Sequence, residues 1–170
     1  MDSRERRKKL ENCIVNSCKP LKGSELANMF GVTRQVIVKD IAIIRAAGSN
    51  IIATPDGYVT NKENFRYKKV LALSHSRDEM VRELELVIKY GGIIEDVIIE
   101  HPIYGELKGN LMIRNLNDLN NFLDKYKQYN AKPLSTLTGG IHLHTISTEK
   151  KEDMEMIMKD LEEAGYLLKD

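Results

Sequence analysis

The sequence predicts an α+β fold in two parts: short helices closed by a β-hairpin over residues 1–62, then a mostly antiparallel sheet with helices on one face over residues 66–170. Three observations predict it. Residues before Gly48 recur inward at helical spacing, as in Leu10, Cys13, Ile14 and Ser17 or Ile37, Ile41 and Ile44. A Pro55-Asp56-Gly57 turn then separates two short apolar runs. Beyond residue 66, single helix-patterned stretches alternate with strand-patterned ones that have no long crossovers between them, which argues for antiparallel pairing.

The first helix is expected from about Ser3 to Ser17. Its opening, Arg4-Glu5-Arg6-Arg7-Lys8-Lys9, is either an arm that touches phosphate or a solvated helix start. A turn at Lys19–Gly23 leads to a short helix, Ser24 to Phe30, with Leu26, Ala27 and Phe30 inward. Gly31 ends it, since the left-handed conformation after a helix suits glycine. Thr33 then caps a third helix reaching about Ala47, and Gly48 stops it. Strands Ile51–Thr54 and Tyr58–Thr60 flank the Pro-Asp-Gly turn. A helix-turn-helix followed at once by a hairpin is a winged helix.

Lys62 to Arg66 is polar and reads as a linker. The second part is expected as strand Val70–Leu73, helix Asp78–Tyr90, strands Ile93–Glu100 and Glu106–Ile113, and helix Leu116–Tyr129. Strands near Pro133–Thr138 and Gly140–Ile146 follow, then helix Lys151–Ala164 with Met154, Ile157, Met158 and Leu161 inward.

Composition excludes some classes. The longest apolar runs fall well short of the roughly 20 residues a membrane-spanning helix needs, and the charged N-terminus does not read as a secretory leader. Cys13 and Cys18 stand about 140° apart around a helix, so they read as reduced thiols in a cytoplasmic protein. Residues 1–60 carry ten Lys/Arg against six Asp/Glu, whereas residues 61–170 carry sixteen against nineteen. A basic head on an acidic body suits a polyanion partner for the head.

At the start of the third helix Thr33, Arg34 and Gln35 would face outward. The first turn of such a helix reaches base edges in the major groove, where guanidinium suits guanine and an amide suits adenine. Lys39 and Arg45 would touch phosphate.

All four histidines lie between His75 and His144. On a strand His142 and His144 point to the same side, with Ile141 and Leu143 expected to face the core. Two imidazoles so placed can chelate a divalent ion. His75, after the Val70–Leu73 strand, could supply a third, and Asp78, Glu79 or Glu83 a carboxylate. Such a set suits Zn, Ni, Fe(II) or Mn. His75 shares strand parity with Leu71 and Leu73, so it would point into the core unless the strand ends before it. His101, beside Pro102 and the Tyr104-Gly105 turn, would hydrogen-bond or stack on a small ligand together with Tyr104.

Two resemblances follow from these residues. Gly31-Val32-Thr33-Arg34-Gln35-Val36, Asp40-Ile41, Ile44-Arg45-Ala46-Ala47-Gly48 and Ala53-Thr54-Pro55-Asp56-Gly57-Tyr58 resemble the N-terminal domain of biotin-repressor-type regulators, which implies DNA binding. Ser74-His75, Glu100-His101-Pro102-Ile103-Tyr104-Gly105 and Gly139-Gly140-Ile141-His142-Leu143-His144 resemble the three-histidine (3H) effector domain, which follows a winged helix in the niacin-responsive transcriptional repressor (NiaR) family. The second resemblance implies a repressor of genes for niacin uptake and NAD synthesis, with nicotinic acid as co-repressor and a metal in the effector domain. Its implied metal ligands are His75, Glu83, His142 and His144, with His101 near the ligand.

On that reading nicotinic acid offers a carboxylate and a pyridine nitrogen; the metal would take one and His101 or Arg77 the other. Ligand binding would favour a homodimer whose two winged helices fit half-sites about one helical turn apart on operator DNA. A metal-sensing repressor is the nearest alternative. A metal-dependent hydrolase is further off, because no His-Glu-x-x-His, Gly-x-Ser-x-Gly or glycine-rich phosphate loop occurs.

Overall fold

A computed structural model describes residues 2–60 and 67–169. The chain divides into two compact units, residues 1–63 and 64–170. The residues read as a linker, Lys62–Arg66, lie outside the described ones.

The first unit holds three helices, α1 (Ser3–Asn16), α2 (Gly23–Phe30) and α3 (Arg34–Ala46), then the hairpin β1 (Ile51–Thr54) and β2 (Gly57–Thr60). Leu10 and Ile14 of α1 meet Leu26 and Ala27 of α2 and Ile37, Ile41 and Ile44 of α3 in one core that Ile51 of β1 completes. Truncating a fully buried Leu or Ile of this kind costs about 2–5 kcal/mol. Gly31 adopts φ 62° to end α2, and the Thr33 hydroxyl accepts from the Val36 amide to open α3. The hairpin is held to the helices by a two-way bond, Leu21 N–H to Tyr58 O at 3.1 Å and Tyr58 N–H to Leu21 O at 2.9 Å. A Cβ at position 57 would meet the Leu21 carbonyl oxygen at 2.5 Å, so glycine is required where the wing crosses the chain.

The basic start of α1 is partly spoken for. Arg6 Nε lies 2.6 Å from Asp40 Oδ2, and Arg7 lies 3.6 Å from Oδ1 of the same buried carboxylate on α3. Of the two readings of this stretch, a free phosphate arm fits neither of these arginines.

The second unit carries β3 (Tyr67–Ser74), α4 (Met80–Ile88), β4 (Ile93–His101), β5 (Gly105–Ile113), α5 (Leu116–Gln128), β6 (Ile141–Thr148) and α6 (Lys151–Glu163). Its sheet is antiparallel throughout, in the order β3-β6-β4-β5. Leu71 and Leu73, Ile94, Leu111 and Ile113, and Ile146 meet Leu84 and Val87 of α4, Leu119 of α5 and Met154, Ile157 and Leu161 of α6 in a single core. No helix among the described residues is long and apolar enough to cross a membrane.

One expected strand is absent. Leu134–Thr138 is a turn of 3-10 helix. Pro133 precedes it, and Thr136 and Thr138 donate their hydroxyls to the nearby carbonyls of Pro133 and Ser135 at 2.7 and 3.1 Å. Such local side-chain bonds compete with a ladder. The last strand is β6 alone, entered through Gly139 and Gly140 at φ 63° and 101°.

Candidate metal centre

Three elements of the second unit converge on one buried point. The β3–β6 ladder sets Leu73 opposite His142 and Leu71 opposite His144. Residues directly opposite in an antiparallel pair share a face, so both imidazoles point to the side that the core leucines occupy. Ile141, instead, is exposed and Leu143 only half-buried. This reverses the expected orientation of β6, in which the apolar residues were to face inward. A buried partner compensates the polar rings.

That partner is Glu83. Met80, Glu83, Leu84 and Val87 fall at i, i+3, i+4 and i+7 on α4, so its inward stripe carries one carboxylate among apolar side chains. Its neighbourhood is fixed by Ser76, whose amide and hydroxyl donate to Glu79 Oε2 at 3.1 and 2.9 Å and start the turn into α4. His75 sits just past the end of β3, and its side chain is 2% exposed. Its shared parity with Leu71 and Leu73 does turn it to the buried side, but the ring meets Glu83 and His142 there and not only apolar side chains.

Glu83 Oε2 lies 3.2 Å from His75 Nε2 and 3.8 Å from His142 Nε2, while Oε1 lies 3.4 Å from His144 Nε2. The ligand atoms of His75, Glu83 and His142 all lie within 4.8 Å of one another; His144 stands outside that trio and approaches through the other carboxylate oxygen. The His142 ring is 4.8 Å from that of His144 and 4.9 Å from that of His75, each pair nearly perpendicular. Tyr166, a core residue unnoticed in the sequence, packs edge-on against His75 at 5.4 Å.

The second nitrogen of each ring is committed to backbone. Nδ1 of His75 faces the Ser76 carbonyl at 2.7 Å, Nδ1 of His142 the Gly140 carbonyl at 2.8 Å, and Nδ1 of His144 the Asp96 carbonyl. A carbonyl only accepts, so each Nδ1 must carry the proton. Whenever they are neutral, the three rings therefore turn Nε2 lone pairs toward a carboxylate, and Glu83 Oε1, fully buried, has no hydrogen-bond partner. Four acceptors facing one another need protons or a cation between them.

Burial alone would pull the His75 and His144 imidazolium pKa values down, but the Glu83 charge and hydrogen bonds outweigh it and hold both above the ordinary range. Burial would likewise raise the Glu83 carboxyl, yet the charge of His144 and the close approach of the His142, His144 and His75 rings hold it well below the usual carboxylate range. A tetrahedral ion with bonds of about 2.0–2.1 Å places its ligand atoms about 3.3–3.4 Å apart. His75 Nε2 lies near that spacing from Glu83 Oε2 at 3.2 Å and His142 Nε2 stands wider at 3.8 Å; with nitrogen and carboxylate donors gathered within 4.8 Å, the donor set fits a divalent ion.

The remaining expected residues lie elsewhere. A cleft of about 740 Å³ beside His142 is lined in part by Ile98, Glu100, Pro102, Glu106 and Ile141. His101 Nδ1 instead accepts from the amides of Ile103 and Tyr104 at 3.2 and 3.4 Å, and its ring lies 5.1 Å from that of Tyr104. Arg77 stands over the Tyr126 ring at 5.9 Å. Neither it nor Tyr104 lines that cleft. In the first unit Thr33, Arg34, Gln35, Lys39 and Arg45 are all exposed on α3 or its cap.

A helix-turn-helix with a wing in one unit, followed by a second unit built around a buried His/Glu cluster, defines a DNA-binding regulator of the helix-turn-helix class. Residues 6–59 match the HTH domain family and residues 68–170 the 3H domain family. The chain is 40% identical to a probable transcription repressor NiaR of Thermotoga maritima, over 98% of this chain and 95% of that protein. It is 37% identical to the transcription repressor NadR of Bacillus subtilis, over 97% and 94%. The chain belongs to the NiaR family of transcription repressors, and is a regulator rather than an enzyme.

Proposed function

We propose that this chain represses genes of niacin uptake and NAD synthesis, binding operator DNA through α3 with nicotinic acid as co-repressor and a divalent metal in the second unit. The first unit, taken as residues 1–62, is the DNA-binding domain and residues 66–170 form the effector domain. His75, Glu83, His142 and His144 would hold the ion, His144 approaching from the side of the second carboxylate oxygen. The observation that carries this reading is the convergence of three Nδ1-committed imidazoles on a buried carboxylate whose Oε1 has no hydrogen-bond partner.

Bound there, a divalent ion supplies a Lewis acid for a carboxylate or a pyridine nitrogen. The chain's own residues do the rest: the backbone carbonyls orient the rings, Glu83 supplies negative charge, and the leucine-rich side of the sheet excludes water. Arg34 and Gln35 would read bases while Lys39 and Arg45 neutralise phosphate, with Thr33 fixing the start of the helix. The active species would be a homodimer placing two α3 helices in half-sites about one turn apart. His101, Tyr104 and Arg77 remain the groups proposed to meet the pyridine acid. They surround neither the cluster nor the cleft in the free chain, so ligand binding would have to gather them.

Calorimetry of the metal-loaded protein with nicotinic acid, nicotinamide and NAD, alongside operator binding with and without each, tests the proposal. Operator affinity raised by metal and nicotinic acid together supports it. Affinity restored in full by metal alone would establish the metallosensor instead.

A further inference from the structure

Asp96 interrupts the apolar run of β4, Ile93-Ile94-Glu95-Asp96-Val97-Ile98-Ile99, and is 2% exposed. Around it the β4–β6 register shifts by one residue between the Ile94–Ile146 and Ile98–Leu143 pairs, with the additional residue on β4. Such a bulge leaves backbone groups unpaired by the ladder and re-aims them. Here the Asp96 carbonyl accepts from Nδ1 of His144, forty-eight positions away. Its side chain serves the same strand: Oδ1 accepts from the Thr145 amide at 2.9 Å, and Oδ2 pairs with Lys108 Nζ at 2.8 Å.

We infer that Asp96 is a positioning residue for His144, its carboxylate clamping the β4 bulge against the Thr145 amide so that its own carbonyl fixes the His144 ring with Nε2 toward Glu83. Removing the carboxylate leaves the Thr145 amide without its acceptor, and the bulge loses the bond that holds its carbonyl on the ring. Groups that orient a ligating imidazole commonly control metal affinity by about 10–100-fold. The consequence for metal rests on the metal reading above; the consequence for the ring does not.

The test uses the full-length protein. Long-range ¹⁵N–¹H NMR at alkaline pH reads the His144 tautomer without metal, and calorimetry reads affinity for zinc. The wild type should carry the His144 proton on Nδ1. Asp96→Ala should lose that preference and bind zinc about 10–100-fold more weakly, while Asp96→Asn, which keeps an acceptor for Thr145, should restore both. A wild-type His144 protonated on Nε2 overturns the inference, and this outcome needs no folded variant. So does a folded Asp96→Ala that retains tautomer and affinity. A wild type indifferent to zinc but with an Asp96-dependent tautomer would remove the metal reading and leave the positioning role upheld.

Discussion

Glu83 meets His144 through Oε1 at 3.4 Å while its other oxygen is taken up by His75 at 3.2 Å, so one carboxylate bridges rings from opposite ends of the effector sequence. Changing it therefore separates two effects. Glu83→Gln should abolish tight zinc binding, with a loss larger than the roughly 100-fold upper range for an outer-shell change. The same variant should stabilise the metal-free protein at alkaline pH, because the new amide donates to imidazole nitrogens that otherwise face a bare carboxylate. Thermal melts with and without zinc check both directions. A metal-free variant less stable than wild type at alkaline pH contradicts this account of the cluster.

Acid should release the metal, and over a window displaced upward. His75 and His144 hold protons more tightly than a free imidazole, whose pKa is about 6.5. An ion must displace those protons, so zinc affinity should already decline as pH falls through values above 6.5, and continue to fall below it. Without metal the dependence runs differently. The raised imidazoles contribute stability that is complete below about pH 6.5 and is lost as pH rises through their folded values. The depressed Glu83 contributes stability present above about pH 4.5 and lost as pH falls through its folded value. Metal-free protein should thus be most stable in mildly acidic solution, and added zinc should move the optimum to higher pH.

Gly140 sits at φ 101°, and a Cβ there would lie 2.6 Å from the His75 carbonyl oxygen. Its own carbonyl orients His142. Gly140→Ala should cost at least about 2 kcal/mol, from backbone strain and the forced retreat of the His75 segment. Neighbouring Gly139, at φ 63° with open space around its Cβ position, provides the control. Gly139→Ala should cost about 1–2 kcal/mol for the left-handed backbone and leave zinc affinity intact, whereas Gly140→Ala should lose most of it. Chemical denaturation and zinc calorimetry on the pair distinguish local strain from damage to the site.

The winged helix was legible because glycine and threonine act locally: Gly31 and Thr33 mark one helix end and the next start whatever surrounds them. The His/Glu cluster was legible as a set of residues but not as a geometry. Alternation along Ile141-His142-Leu143-His144 assigns the apolar pair to the core, and that inference fails where a buried carboxylate from another element stabilises polar rings. Only the register against Leu71 and Leu73 fixes the face, and register is a long-range property. Asp96 left a trace, a carboxylate inside an apolar strand, but its bond to His144 depends on a bulge no local pattern announces. Leu134–Thr138 was misread because hydroxyl-to-carbonyl bonds within the turn outweigh the strand propensity of threonine.

Arg34 follows the Thr33 cap directly and is exposed at the start of α3, where the first turn of such a helix reaches base edges. Arg34→Ala should weaken operator binding by about 1–3 kcal/mol and relax preference at one base pair. Lys39→Ala, one turn on from Gln35, should weaken operator and unrelated DNA alike and reduce the salt dependence by about one ion. Fluorescence titrations over a range of salt, on operator and on single-base variants, read the two effects separately. Equal losses on every sequence for Arg34→Ala would move it from base reading to phosphate contact.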